Sequence, residues 1–286
     1  MKLAKSKKMV LLIMPFLLGL GGSKGYYFKT TVNPNSSYKM IMRITMNSKV
    51  NYDGDSLFIE KLNYQGVKLP LSIETYKAIG MSAKTNSLRS DSTFVMTSSF
   101  DYDTSLTIRN GDTVNTPMKI LEGLKIASVY SKDLGVKGIE VIGSNLPEEQ
   151  KHLIAEMVGK MYQNIKYPDK PMKIGDSFTQ TLPTQIPINT QKIIDMNIQV
   201  TYALRGVDGN KAFFDTITKM ALNDSTGAVK FILNGEGSGK LIHDIQRNYP
   251  IESNSNMILD EKIVTPTLTT IITAMSKTYY KVLDKQ

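Results

Sequence analysis

Cysteine and tryptophan are absent from the 286-residue chain, and histidine occurs only twice. Without cysteine no disulfide can hold the fold and no thiolate can act as nucleophile or ligand, so stability must come from a hydrophobic core. Zinc sites draw on clustered His and Cys at fixed spacing, and nucleophilic triads need a positioned base. His152 falls opposite the apolar stripe of a predicted helix and reads as solvated. His243 stands beside Asp244 in a predicted strand, where adjacent residues point to opposite faces, so the two form no dyad. No metal, cofactor or catalytic residue is expected, and the chain reads as a non-enzyme. The missing Trp also weakens a sugar-binding reading, which wants flat aromatic platforms, although 14 Tyr remain.

Long apolar runs are scarce too. The one that stands out, Met9 to Leu20, follows Lys2, Lys5, Lys7 and Lys8 with no acid between, and contains Pro15 and Gly19. It is shorter than the roughly 20 residues that span a bilayer. Small residues follow at Gly21, Gly22, Ser23 and Gly25. Residues 1–25 therefore read as a secretory signal peptide cut after Ser23 or Gly25. The product is expected to be exported, periplasmic or extracellular, with no lipid anchor, for want of a cysteine, and no membrane span after signal removal.

The formal charge of +9 counts five lysines of that segment; residues 26–286 hold 30 Lys and Arg against 26 Asp and Glu, a net of +4. The excess is scattered, with no basic stripe, which argues against nucleic acid as a partner. About 261 residues remain, enough to bury a large core.

Alternation dominates this body. Tyr38, Met40, Met42, Ile44 and Met46 alternate with polar residues, as do Phe94, Met96, Phe100 and Tyr102, the pattern of half-buried antiparallel strands. Asn110-Gly111 and Asp208-Gly209 mark hairpin turns. Further strands are read at 119–130, 136–142, 194–204, 212–222, 229–233, 240–245, 251–259 and 267–282. One helix is read at about 146–166 from the i, i+4 stripe of Leu153, Ile154, Met157, Val158, Met161, Tyr162 and Ile165, with Asn145 and Glu148 as a capping pair. The expected fold is mainly β (α+β): long antiparallel strands in a curved, open-barrel-like sheet packed on one central helix. It forms a single β-rich envelope domain over 26–286, divisible into lobes 26–143 and 167–286 joined by the helix.

Motifs with chemistry fall away on inspection. Gly21-Gly22-Ser23-Lys24-Gly25 matches a nucleophile elbow in letters only, since it lies at the signal cleavage site. Ser36 and Lys39 have the spacing of a serine acylase pair without its other elements. Gly235, Gly237 and Gly239 before Lys240 lack the first glycine and the hydroxyl of a phosphate loop. Glycine at alternate strand positions instead clears one face, for helix packing or bending ahead of a ligand. Asp53, Gly54 and Asp55 read as a turn rather than a calcium loop. Asp101 and Asp103 read as sharing one solvated strand face, and they are the pair singled out for a carboxylate hydrolase.

Sixteen methionines are unusual. Met40, Met42, Met46, Met157 and Met161 fall on inferred inward faces, where flexible thioethers fill a core or line an adaptable apolar groove.

Lys170-Pro171-Met172-Lys173-Ile174-Gly175-Asp176-Ser177-Phe178, with Leu121 to Lys125, Gly135 to Gly143, the helix and Ile198 to Arg205 in that order, resembles a family of exported β-rich proteins, a domain of unknown function common in Bacteroidota. The resemblance covers most of residues 38–286, with Phe178 where that family often has Trp. It implies a cell-envelope location and a β-rich fold comparable to half-barrels that carry lipoproteins or lipids, and it implies no active site. The leading expectation is a non-catalytic envelope protein binding a lipid, acyl chain or protein segment in an apolar groove. A structural or adhesive surface module binding another protein stands second, and an acid-based hydrolase third.

Overall fold

The computed structural model describes residues 24–114, 121–131, 135–161, 165–187, 193–226 and 228–283. The predicted signal up to Ser23, residues 119–120 of a predicted strand and residues 162–164 of the predicted helix lie outside them. The strands are β1 (Ser37–Gly54), β2 (Leu71–Thr85), β3 (Thr93–Arg109), β4 (Asp112–Val114), β5 (Lys125–Ser131), β6 (Gly135–Ile142), β7 (Ser177–Pro187), β8 (Ile193–Asp208), β9 (Lys211–Thr226), β10 (Val229–Asp244), β11 (Tyr249–Val264) and β12 (Leu268–Leu283). Helix α1 (Ser56–Tyr64) separates β1 from β2, and α2 (Glu148–Met161) separates β6 from β7.

All strands join one antiparallel sheet in the order β6-β5-β3-β2-β1-β12-β11-β10-β9-β8-β7, with β4 beside β3. Antiparallel pairs of strands close in sequence build each half, with β3 pairing both β4 and β5. The two halves meet where β1 pairs with β12 along Lys39–Gly54 and Leu268–Leu283. The sheet is open, with β6 and β7 as its edges.

The expected mainly β architecture is thus present, and several local readings need correction. Strand β10 runs unbroken through Gly235, Gly237 and Gly239, where the loss of side chains looked like a break between two strands. Strand β2 was missed because its buried face interrupts Ile73 and Ile79 with Thr75 and Lys77. Strand β7 was missed because it carries Pro183 and Pro187, which an edge strand tolerates better than a central one. At Asn110 and Gly111 both φ angles are positive, 50° and 92°, as a tight hairpin turn requires. The β8–β9 loop lies one residue past the expected dipeptide, at Gly209 and Asn210.

The helices also differ from expectation. Asp55 does not merely turn the chain: its carboxylate accepts from the Phe58 amide at 3.1 Å and caps α1. In α2 the Pro147 carbonyl takes the first helical bond, from the Lys151 amide, and Ser144 rather than Asn145 supplies the local side-chain acceptor, to the Leu146 amide. Rather than standing at the centre, α2 packs its described side chains Ile154 and Ala155, with Leu146 before it, against Ile79, Phe100, Ile126 and Val141 near the β6 edge.

One face of the sheet is far more buried than the other, which identifies it as concave. Residues 26–36 cross its upper end as a strap. Tyr26 and Met172 exchange backbone hydrogen bonds at 2.8 Å, and the Thr31 amide donates to the Asn248 carbonyl. Phe28 is buried among Tyr167, Phe214 and His243, while Val32 packs with Phe94 and Tyr130 on the other side. Four residues reach at most about 14 Å. The concave faces of β9–β10 and β3–β5 are therefore brought close together at this end, and the sheet is curled into a half-barrel.

The alternate glycines of β10 serve that curl. A Cβ on Gly239 would collide with the Asn254 carbonyl oxygen, and one on Gly237 would lie 2.7 Å from the Asn256 carbonyl oxygen. Both obstacles are the backbone of neighbouring β11, so bending is the finding and the helix plays no part at these positions. Gly239→Ala should cost about 2 kcal/mol through forced backbone movement. The urea midpoint of the variant against the wild-type chain measures it.

Candidate functional site

The concave face is best followed along rungs of paired residues that run across the strands. The upper rung, under the strap, is Asp103–Ile79–Met42–Tyr280–Ser253–Leu241–Phe214, and most of it is buried. Below it come two rungs of a different kind.

The first is Ser105–Lys77–Ile44–Thr278–Ser255–Gly239–Thr216, and the second is Thr107–Thr75–Met46–Ser276–Met257–Gly237–Thr218. Every one of these residues is half-buried, neither packed away nor fully in water. None of their hydroxyls bonds to another described residue. Beneath this waist the face turns apolar again, with Ala274, Leu259 and Met220 on the next rung and the cluster of Ile194, Met196, Phe231 and Leu233 beyond. Glu261 sits at that lower end between Ile272 and Leu233, where burial pushes its carboxyl above the usual range.

A single ion pair marks the top of the waist. Lys77 Nζ lies 3.4 Å from Asp103 Oδ1; the lysine side chain is 34% exposed and the aspartate 1%. Among the described residues neither oxygen of Asp103 has a hydrogen-bond partner. Asp103 reaches this position through a β-bulge at Gly80/Met81, which flips the face of β3. Asp101 is left exposed on the convex side, accepting from Ser82 Oγ at 2.6 Å. The two carboxylates expected on one face therefore lie on opposite faces, and the only hydrolase pair read from sequence does not exist.

Of the five expected groove methionines, Met42 and Met46 line the concave face half-buried. Met40 is buried, and its sulfur faces two phenols, Tyr280 at 3.4 Å and Tyr249 at 3.6 Å, themselves 2.9 Å apart. It belongs to the closed upper end, not to an open groove. Met157 and Met161 lie in α2, but their side chains are outside the described residues. Gly25 packs on Pro171, and the other expected cleavage residue, Ser23, is outside the description.

His152 is exposed, and His243 is wholly buried. The His243 ring meets Phe28 and Tyr167 edge-on at 5.7 and 5.0 Å, and its Nδ1 lies 3.0 Å from the Tyr167 hydroxyl. Burial pulls its pKa down to about 4 and pushes that of the Tyr167 hydroxyl up. Asp244 points the other way, accepting from the Arg247 amide at 2.9 Å. Among the described residues no cluster of three or more His, Asp or Glu could hold a metal ion.

The sequence reading passed over Lys77 and the hydroxyls of the waist. Their signal was present but inverted, as polar residues at inward positions, which a search for apolar alternation discards.

No protein-family model and no curated protein matches the chain. Among solved structures it is similar to OccK5 (OpdH) of Pseudomonas aeruginosa, with 7% identity over 88% of this chain and 99% of that one, at a TM-score of 0.28. OpdL of the same organism gives 9% identity over 87% and 99%, at a TM-score of 0.25. The β domain of the Bordetella autotransporter BrkA gives 7% over 85% and 99%, at 0.20. Likeness at this level carries no inference about fold detail or function. The convex face moreover places Lys219, Glu236, Asn256 and Lys277 in mid-strand, where the wall of a lipid-facing barrel carries an apolar band. No described helix is long and apolar enough to cross a membrane.

Proposed function

We propose that this chain is a non-catalytic envelope protein that holds an amphiphilic ligand on its concave face. The observation that carries the reading is the half-open waist, where Ile44, Met46 and Met257 stand beside unbonded hydroxyls between two apolar zones. A core with no task would bury such methionines or replace the hydroxyls by apolar groups, because water-filled polar surface adds no burial energy. Thioethers adapt to chains of varied shape, and hydroxyls accept or donate as needed. Export rests on the reading of residues 1–25 as a signal peptide.

Native mass spectrometry of the exported chain, purified from its own envelope, is expected to find a stoichiometric organic adduct released by solvent extraction. An apo mass that takes up no added amphiphile would sink the proposal.

The second reading, a surface module that binds another protein, is favoured by one feature. On the convex side Ile217, Ile258 and Met275 rim a shallow depression of about 450 Å³ floored by Ser238 and Gly237. Strand addition at β7 is the less suitable route, since Pro183 and Pro187 remove backbone donors from that edge.

A further inference from the structure

The waist has a chemistry more specific than "apolar groove". Lys77 is a partly exposed ammonium, with Ile44 and Ser105 as its rung neighbours on the concave face. Its counter-ion Asp103 lies on the rung above, buried, with no hydrogen bond drawn from the lysine. The three ammonium donors therefore remain available to acceptor atoms in the groove. At the same time the pair is electrically balanced, and the remaining polar groups on the two waist rungs are uncharged hydroxyls. Such a surface offers many donors and acceptors with no net charge.

An ionic headgroup fits it poorly. A carboxylate or phosphate beside Lys77 would stand near the buried Asp103 carboxylate on the adjoining rung, and a cationic head would face the ammonium itself; either would lose its water without a net opposite field. A neutral head with several hydroxyl or ester oxygens loses far less on leaving water and accepts from the partly exposed Lys77 ammonium. We infer that the waist around Lys77 and Asp103 is a headgroup site for an uncharged, hydroxyl-bearing amphiphile, of the acylglycerol type, whose chain lies along Met42, Ile44, Met46 and Met257. The unbonded Thr278, Thr75 and Thr218 hydroxyls supply further contacts, and no aromatic platform is required. This assignment rests on the reading of the concave face as a ligand groove.

The test compares three probes of equal chain length, monodecanoylglycerol, decanoate and decylammonium, each titrated below its aggregation threshold into the mature protein by calorimetry. Monodecanoylglycerol is expected to bind at least about tenfold more tightly than either ion. Thr278→Val should weaken it several-fold, and the paired variant K77M/D103L should remove the preference while retaining chain binding. Thr218→Val serves as a second, structurally mild probe of the same belt should the paired variant fold poorly. Equal binding of all three probes, or a preference for an ion, overturns the headgroup assignment while leaving the groove in place. Binding of none overturns the groove itself.

Discussion

Lys77→Met should destabilise the protein by about 3 kcal/mol, because it strands a carboxylate that has no other counter-charge among the described residues. Asp103 is 1% exposed and its oxygens accept no hydrogen bond, so nothing else offsets the water it has lost. A partly exposed lysine replaced at the surface of a sheet normally costs little, and that contrast makes the result diagnostic. K77M/D103L, which removes both charges and faces Ile79 with an apolar side chain, should recover most of the loss. Urea midpoints of the two single variants and the pair form the cycle. If K77M alone shifts the midpoint no more than an ordinary surface substitution does, the ion pair is not a structural element.

The second large effect is one of pH. His243 titrates near 4 in the folded protein against an ordinary value of 6.5, because burial beneath Phe28 and Tyr167 disfavours its charged form. Between those two values the unfolded chain binds a proton that the folded chain refuses. Stability contributed by keeping this histidine neutral is therefore complete above about pH 6.5 and falls as the pH drops toward 4. The difference in pKa corresponds to about 3 kcal/mol. His243→Phe keeps the ring contacts, gives up the Tyr167 hydrogen bond at a cost of about 1 kcal/mol, and should flatten that portion of the acid profile. Chemical denaturation of both proteins at pH 7.5, 6, 5 and 4.5 tests it. Equal slopes would mean that the acid sensitivity lies in the carboxylates instead.

What the sequence made legible follows from how each feature is encoded. Strands β1, β8 and β9 alternate apolar with polar residues, so period 2 reveals them without any knowledge of their partners. The same rule hid β2 and the middle of β10, where the inward face itself holds Thr75, Lys77 or three glycines. Apart from Gly235, one rung lower, those exceptions belong to the waist. A reading that equates inward with apolar finds the scaffold and discards the candidate site, because the site consists of the positions that break the pattern. The bulge beside Gly80 was equally invisible: it separates Asp101 from Asp103 through a one-residue mismatch with a strand whose existence was not read.

The antiparallel ladder between β1 and β12 joins the first strand of the sheet to the last, and it occupies the middle of the structure rather than an edge. The pairs on either side of it join strands near in sequence, β8 to β12 over tight turns and β1 to β2 across α1, and so close over far shorter stretches of chain. The central seam instead closes over nearly the whole chain, and contacts of that separation cost the most entropy before they return any stabilisation. Each flank can zip up by itself, yet the concavity comes into being only when β12 unites them. The cleft thus depends on a single strand: a chain lacking β12 would present two separate curved flanks and no shared concavity.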